Sequence, residues 1–162
     1  MRFSLIDRIT DLEAGVRISA LKNLSLAEEY LQDHFPGFPV EPGVLMLESM
    51  VQASAWLMRH TEDFRYSVVL LKQARAVKFN SFLRPGQTLD VTAKVHKTGE
   101  DAWVLKTSGA VNGESTVSAR LTLRQFNLAD RNPEMKSTDT HLIESLRGQF
   151  HQLWSPELTD AE

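Results

Sequence analysis

The sequence predicts an α+β fold, an antiparallel sheet layered on one long apolar helix. Two observations carry that expectation and a third places the chemistry. The run Val44 to Met58 is apolar nearly all round, interrupted chiefly by Glu48, Ser49, Gln52 and Ser54. A helix of that composition is buried, not laid on a surface. From Val68 onward, segments of alternating apolar and polar residues follow one another through short turns, which favours antiparallel pairing. Directly before the helix, three prolines and two glycines fall between Pro36 and Gly43.

Taken in order, residues 1 to 13 read as a short helix or turn with Phe3, Leu5, Ile6 and Ile9 on one side, ended by Gly15. Val16, Ile18 and Ala20 alternate with Arg17 and Ser19, the pattern of a half-buried strand. Ala27 to Leu31 reads as a single helical turn leading to His34. Proline fixes φ and disfavours helix in the residue before it, so His34 to Glu41 is expected to be stiff, extended and irregular. Pro42 suits the first helical position. Arg59 and His60 close the helix where positive charge suits its dipole, so His60 is read as structural. Thr61 to Ser67 is a polar loop.

The next strand runs from Val68 to about Phe79, apolar on both faces at its start, and Pro85-Gly86 turns the chain. Leu89, Val91, Ala93 and Val95 alternate with polar residues, as do Trp103 and Leu105, then Val117, Ala119, Leu121 and Leu123. Asn112-Gly113 predicts a type I′ hairpin. Asn127 to Asp139 reads as a linker, and His141 to Trp154 as an amphipathic helix with Leu142, Leu146, Phe150 and Leu153 on one stripe. The expected division is a domain of residues 1–126 and an extension of residues 127–162. That extension packs on its own domain or a neighbouring subunit, or forms a lid near the site. The acidic last residues are expected to fray.

Composition narrows the function. A chain of 162 residues suffices for one domain with a real core. A net charge of −3 argues against nucleic acid as a partner. With no cysteine there is neither a disulfide framework nor thiol chemistry, which fits a reducing cytoplasm. The N-terminal apolar patch is broken by Asp7 and does not resemble a signal peptide. The central helix is too short for a membrane span and carries Glu48. His34, His60, His96, His141 and His151 show no ligand spacing, so no metal is expected.

The chemistry-bearing residues cluster at the start of the helix. Gly43 has no Cβ and allows close approach to the backbone. The N–H groups of Gly43 to Leu45 lack partners at a helix start and carry partial positive charge. An ionised carboxylate is costly in an apolar helix, so Glu48 is expected buried and neutral, held by Gln52 one turn on. A neutral acid, a rigidly held His34 imidazole and free backbone donors are parts for general acid–base chemistry at a carbonyl compound. Taken singly, a lone Glu and a lone His are more often structural. Their joint occurrence around one Pro/Gly-rich segment favours chemistry.

The stretch His34-Phe35-Pro36-Gly37-Phe38-Pro39-Val40-Glu41-Pro42-Gly43-Val44-Leu45, followed by Glu48 and Gln52, resembles the signature of the beta-hydroxyacyl-[acyl-carrier-protein] dehydratases of type II fatty-acid synthesis. It matches every fixed position of that signature. The likeness extends from about Leu5 to Phe126, with Leu5-Ile6-Asp7-Arg8-Ile9, Lys78-Phe79 and Arg84-Pro85-Gly86. It implies the hotdog fold, a curved antiparallel sheet wrapped around the central helix. It implies His34 as the catalytic base, Glu48 as the acid and Gly43 as the backbone donor to the thioester carbonyl. It also implies a homodimer that shares its active site, often three dimers in a hexamer, and no cofactor. Glu at position 48 resembles the simple dehydratases that do not isomerise the double bond.

Phe38, Val44, Gln52, Met46, Met50, Phe79 and Phe82 are candidates to meet the acyl substrate, with plain core packing as the alternative for Met46, Met50, Phe79 and Phe82. The carrier protein is acidic, so basic residues are expected at the mouth, with Lys72, Arg75, Lys78, Arg84 and Lys97 as candidates. The chain departs from the family at Leu71-Lys72-Gln73, where an aromatic-Ala-Gly run often gates the tunnel. A hotdog thioesterase and a non-catalytic acyl-carrier-binding protein are the alternatives.

Overall fold

The computed structural model describes residues 3–154. Six strands form one sheet in the order β1-β2-β4-β5-β6-β3, and every neighbouring pair is antiparallel. The strands are β1 (Arg8–Glu13), β2 (Arg17–Asn23), β3 (Val68–Phe79), β4 (Thr88–Lys97), β5 (Ala102–Val111) and β6 (Glu114–Phe126). Helix α1 (Gly43–Thr61) packs across β2 to β6, and α2 (Lys136–Leu153) follows the sheet. This is the α+β layering that the periodicity implies, in the hotdog arrangement that the resemblance implies. β4 and β6 present Leu89, Val91, Ala93, Val117, Leu121 and Leu123 to the core, while Asp90, Lys94, Arg120 and Arg124 stay exposed. The β5–β6 turn has φ of 53° at Asn112 and 81° at Gly113, both positive as a type I′ turn requires. No helix among the described residues is long and apolar enough to cross a membrane.

Four expectations need correction. Residues 8–13 form a strand, not a helix. Pro42 is the N-cap (φ −52°, ψ 132°) and the helix begins at Gly43. Residues 127–139 are not a plain linker, because two 3-10 turns occupy Leu128–Asp130 and Pro133–Met135, and α2 starts at Lys136. Among the described residues β3 is paired only with β6, and its start is less covered than its composition suggests, with Leu70 and Leu71 exposed. The acidic residues 155–162 lie outside the described residues.

The end of α1 is shaped by its sequel. Asp63 and Phe64 adopt φ of 47° and 56°, unfavourable for side chains with a Cβ. That turn carries Phe64 back into the core, and its N–H bonds the Arg59 carbonyl at 2.7 Å. Arg147 of α2 holds the turn, donating to the Asp63 carboxylate at 2.9 Å and to the Asp63 carbonyl at 2.5 Å. Phe150 of α2 is buried among Trp56, His60 and Phe64, so His60 packs as a structural residue.

Candidate active site

The Pro/Gly-rich segment folds back on itself and fixes His34. Phe35 and Phe38 exchange backbone hydrogen bonds at 3.1 and 2.9 Å around Pro36-Gly37. The Val40 N–H donates to the His34 carbonyl at 3.0 Å, and the Glu41 N–H to the Leu83 carbonyl at 2.9 Å. With its flanks pinned by main chain, the half-buried imidazole stacks on Phe35 at 4.1 Å. It lines a largely apolar cavity of about 380 Å³ together with Gly43, Val44, Met46, Phe79 and Phe82.

Gly43 stands at the helix start beside that cavity. The Leu45 N–H turns back to the Pro42 carbonyl at 2.8 Å, whereas the N–H groups of Gly43 and Val44 have no hydrogen-bond partner among the described residues. The ring of Phe79 lies over Gly43 so closely that a Cβ there would meet it at 3.0 Å. A side chain at this position would therefore have to displace that ring.

Glu48 lies one turn further and opens into a second cavity of about 330 Å³ with Gln52. The Gln52 amide has one consistent orientation. Its Oε1 accepts from the Leu5 N–H at 2.9 Å, so its Nε2 faces Glu48 Oε1 at 3.0 Å and the Phe3 carbonyl at 3.2 Å. The expected Gln52 contact is therefore present, and it also ties the N-terminal segment to α1. The expected burial of Glu48 is not found in the single chain, where this residue is half-buried. Among the described residues that face of the first helical turns stays open, and Val44 is 67% exposed.

The candidate residues thus fall on two sides. His34, Gly43, Val44, Met46, Phe79 and Phe82 share one cavity; Glu48 and Gln52 share the other. Met50 is fully buried core and lines neither cavity. Phe38 packs edge-on against Phe82 at 5.7 Å, with the Arg84 guanidinium 4.9 Å from its ring. Lys72, Arg75 and Lys78 are exposed on β3, while Lys97 stands on β4, three strands away. Among the described residues no cluster of His, Asp and Glu could hold a metal ion.

One cluster escaped the sequence reading. Glu41 is 1% exposed and both of its carboxyl oxygens lack a hydrogen-bond partner. Burial raises its pKa to about 7; Lys22 opposes the shift, and Glu28 and Asp7 add to it. Lys22, itself buried, is paired with Glu28 at 2.8 Å. The nearby Tyr30 hydroxyl is also buried and unpartnered, and burial and the Glu41 charge hold its pKa up. The signal was a single acid between Val40 and Pro42, in a stretch with no other charge.

Comparison with known proteins agrees with this architecture. The FabA-like domain family matches residues 1–120. The chain is 38% identical over 122 residues to the 3-hydroxyacyl-[acyl-carrier-protein] dehydratase FabZ of Campylobacter hominis, covering 74% of this chain and 84% of that protein. It is 35% identical over 117 residues to the FabZ of Levilactobacillus brevis, covering 72% and 79%. Among solved structures, the dehydratase heterocomplex ApeI:P from Xenorhabdus doucetiae is similar, with a TM-score of 0.66, 18% identity, and 82% and 90% of the two chains covered. The E. coli PaaI protein gives a TM-score of 0.58 at 14% identity, with 72% and 81% covered. At these identities the solved structures establish the fold. Sheet, helix and matched domain define a hotdog protein of the FabA-like class. The curated relatives place it further: the chain belongs to the beta-hydroxyacyl-[acyl-carrier-protein] dehydratase family.

Proposed function

We propose that the protein is a hydro-lyase that removes water from a beta-hydroxyacyl thioester carried on acyl carrier protein, leaving the trans-2-enoyl thioester. The observation that carries this reading is the shared cavity of His34 and Gly43, an imidazole beside a free backbone donor at a helix start. The thioester carbonyl accepts from the Gly43 N–H as enolate charge develops; removing such a donor commonly costs roughly 3 kcal/mol of barrier. The His34 imidazole takes the α-proton, and a neutral imidazole is a competent base at neutral pH. Glu48 gives its proton to the departing hydroxyl, which leaves as water.

Within one chain His34 and Glu48 line different cavities, so we assign the acid and the base of each site to two copies of the chain. β3 is an edge strand that carries exposed Leu70 and Leu71, and Val44, Phe79 and Phe82 are exposed beside it. Pairing on that side covers apolar surface and takes Glu48 out of water. Lys72, Arg75, Lys78 and Arg84 supply positive charge for an acidic carrier.

Hydration of a crotonyl thioester, the reverse reaction, tests the proposal. The wild type is expected to form the 3-hydroxybutyryl thioester without releasing free thiol, and His34→Ala to lose at least about a hundredfold in rate. Free thiol as the product, or equal hydration by His34→Ala, contradicts it.

A further inference from the structure

The cavity that holds Glu48 continues along α1. Glu48, Gln52, Ala55 and Arg59 recur at helical spacing, share one face of the helix, and all line this cavity. From Glu48 to Arg59 the helix rises roughly 16 Å, three turns, which is the scale of an extended acyl tail. Val51, Ala55, Trp56 and Val69 make the walls between apolar. The far end is polar, formed by Arg59 and by Gln149 of α2.

Arg59 differs in its burial from the exposed arginines that lack an ion pair, such as Arg65, Arg84 and Arg124. Arg17 is paired with Asp11, and Arg147 with Asp63. Among the described residues the Arg59 side chain has no hydrogen bond or ion pair, only the face of the Trp56 ring 5.3 Å from its guanidinium. Its Nε is buried without a partner. Burial lowers its pKa to about 10, which leaves it charged at neutral pH. An unpaired cation in a partly desolvated cavity is costly unless an anion completes it.

We propose that this cavity is the acyl channel and that Arg59, with Gln149 beside it, binds a carboxylate at the far end of the acyl chain. The preferred substrate is then an ω-carboxylated acyl thioester, not a simple aliphatic one. This inference rests on the dehydratase reading for the identity of the chain in the channel. Glu48 at one end and the Arg59 guanidinium at the other set the distance between the reacting hydroxyl and the terminal anion.

The test is calorimetric binding of two uncleavable pantetheine thioethers of equal chain length, one ending in carboxylate and one in methyl. The wild type is expected to bind the carboxylate form at least about tenfold more tightly, as a hydrogen-bonded charge pair supplies. Arg59→Leu is expected to abolish or reverse that preference, Arg59→Lys to keep part of it, and Gln149→Leu to reduce it. Melting curves check that each variant folds; Arg59→Lys and Gln149→Leu still test the inference if Arg59→Leu does not. Equal binding of the two ligands by the wild type, or a preference that survives Arg59→Leu, overturns it. Turnover of matching beta-hydroxyacyl thioesters separates the two claims. Dehydration without carboxylate preference removes only the Arg59 inference. Carboxylate preference without dehydration removes the dehydratase reading and leaves an anion site at Arg59.

Discussion

Gly43 and Glu41 carry the most specific consequences at the scale of single residues. A methyl group at position 43 would stand 3.0 Å from the Phe79 ring, an exposed side chain that can shift without unfolding the protein. Gly43→Ala is therefore expected to fold normally and to lower kcat/KM roughly tenfold to a hundredfold by displacing the donor and the ring from their working positions. Phe79→Ala in that background is expected to recover part of the loss, so a double-mutant cycle in steady-state kinetics should show coupling. Glu41 governs stability. Its folded pKa, about 7, lies above its unfolded value of 4.5. Its contribution is present in full below pH 4.5 and is lost as pH rises through 7, an effect on the order of 3 kcal/mol. Glu41→Gln is expected to flatten this dependence and to be the more stable form at pH 8, read from urea unfolding at several pH values. Lys22, Glu28, Asp7 and Tyr30 surround the group, and Lys22 alone opposes the shift by its charge.

The elements differ in how well the sequence announced them. α1 and strands β4 to β6 were legible because their periods are regular and their turns carry diagnostic residues. β1 was not. A bulge between Ile9 and Asp11 puts the inward residues Ile9 and Leu12 three apart, a spacing that mimics a helix. β3 carries two such irregularities, at Leu71/Gln73 and Arg75/Lys78, and its alternation is correspondingly blurred. The start of α2 looked like a linker because Ser137, Thr138 and Asp139 are polar, yet Asp139 is buried and works on its surroundings. Its carboxylate accepts from the Leu128 and Ala129 N–H groups at 2.9 Å and from the Ser67 hydroxyl. Burial raises its pKa, and these hydrogen bonds outweigh burial and hold it below the ordinary carboxylate range. Asp139→Ala strands all three donors and is expected to cost about 2 to 4 kcal/mol in thermal unfolding, with Asp139→Asn costing less.

At the scale of the whole molecule, sequence could name His34, Gly43, Glu48 and Gln52 but could not say what covers them. The Gln52 contact to Glu48 is local, one helical turn, and was readable from spacing. The burial of Glu48 depends on what lies over an exposed face of α1, and a single chain leaves it half open. Likewise the sequence shows Arg59 only as a partner of the helix dipole, because α2 and the cavity beside it arise from residues ninety positions later. The central claim is that each site draws its base from one copy of the chain and its acid from another. Mixing His34→Ala with Glu48→Gln under conditions of subunit exchange tests it directly by crotonyl-thioester hydration. Each variant alone should be inactive, and the mixture should regain about a quarter of wild-type activity, because half of the dimers then hold one intact site. A mixture that exchanges subunits yet stays as inactive as its components would contradict the claim.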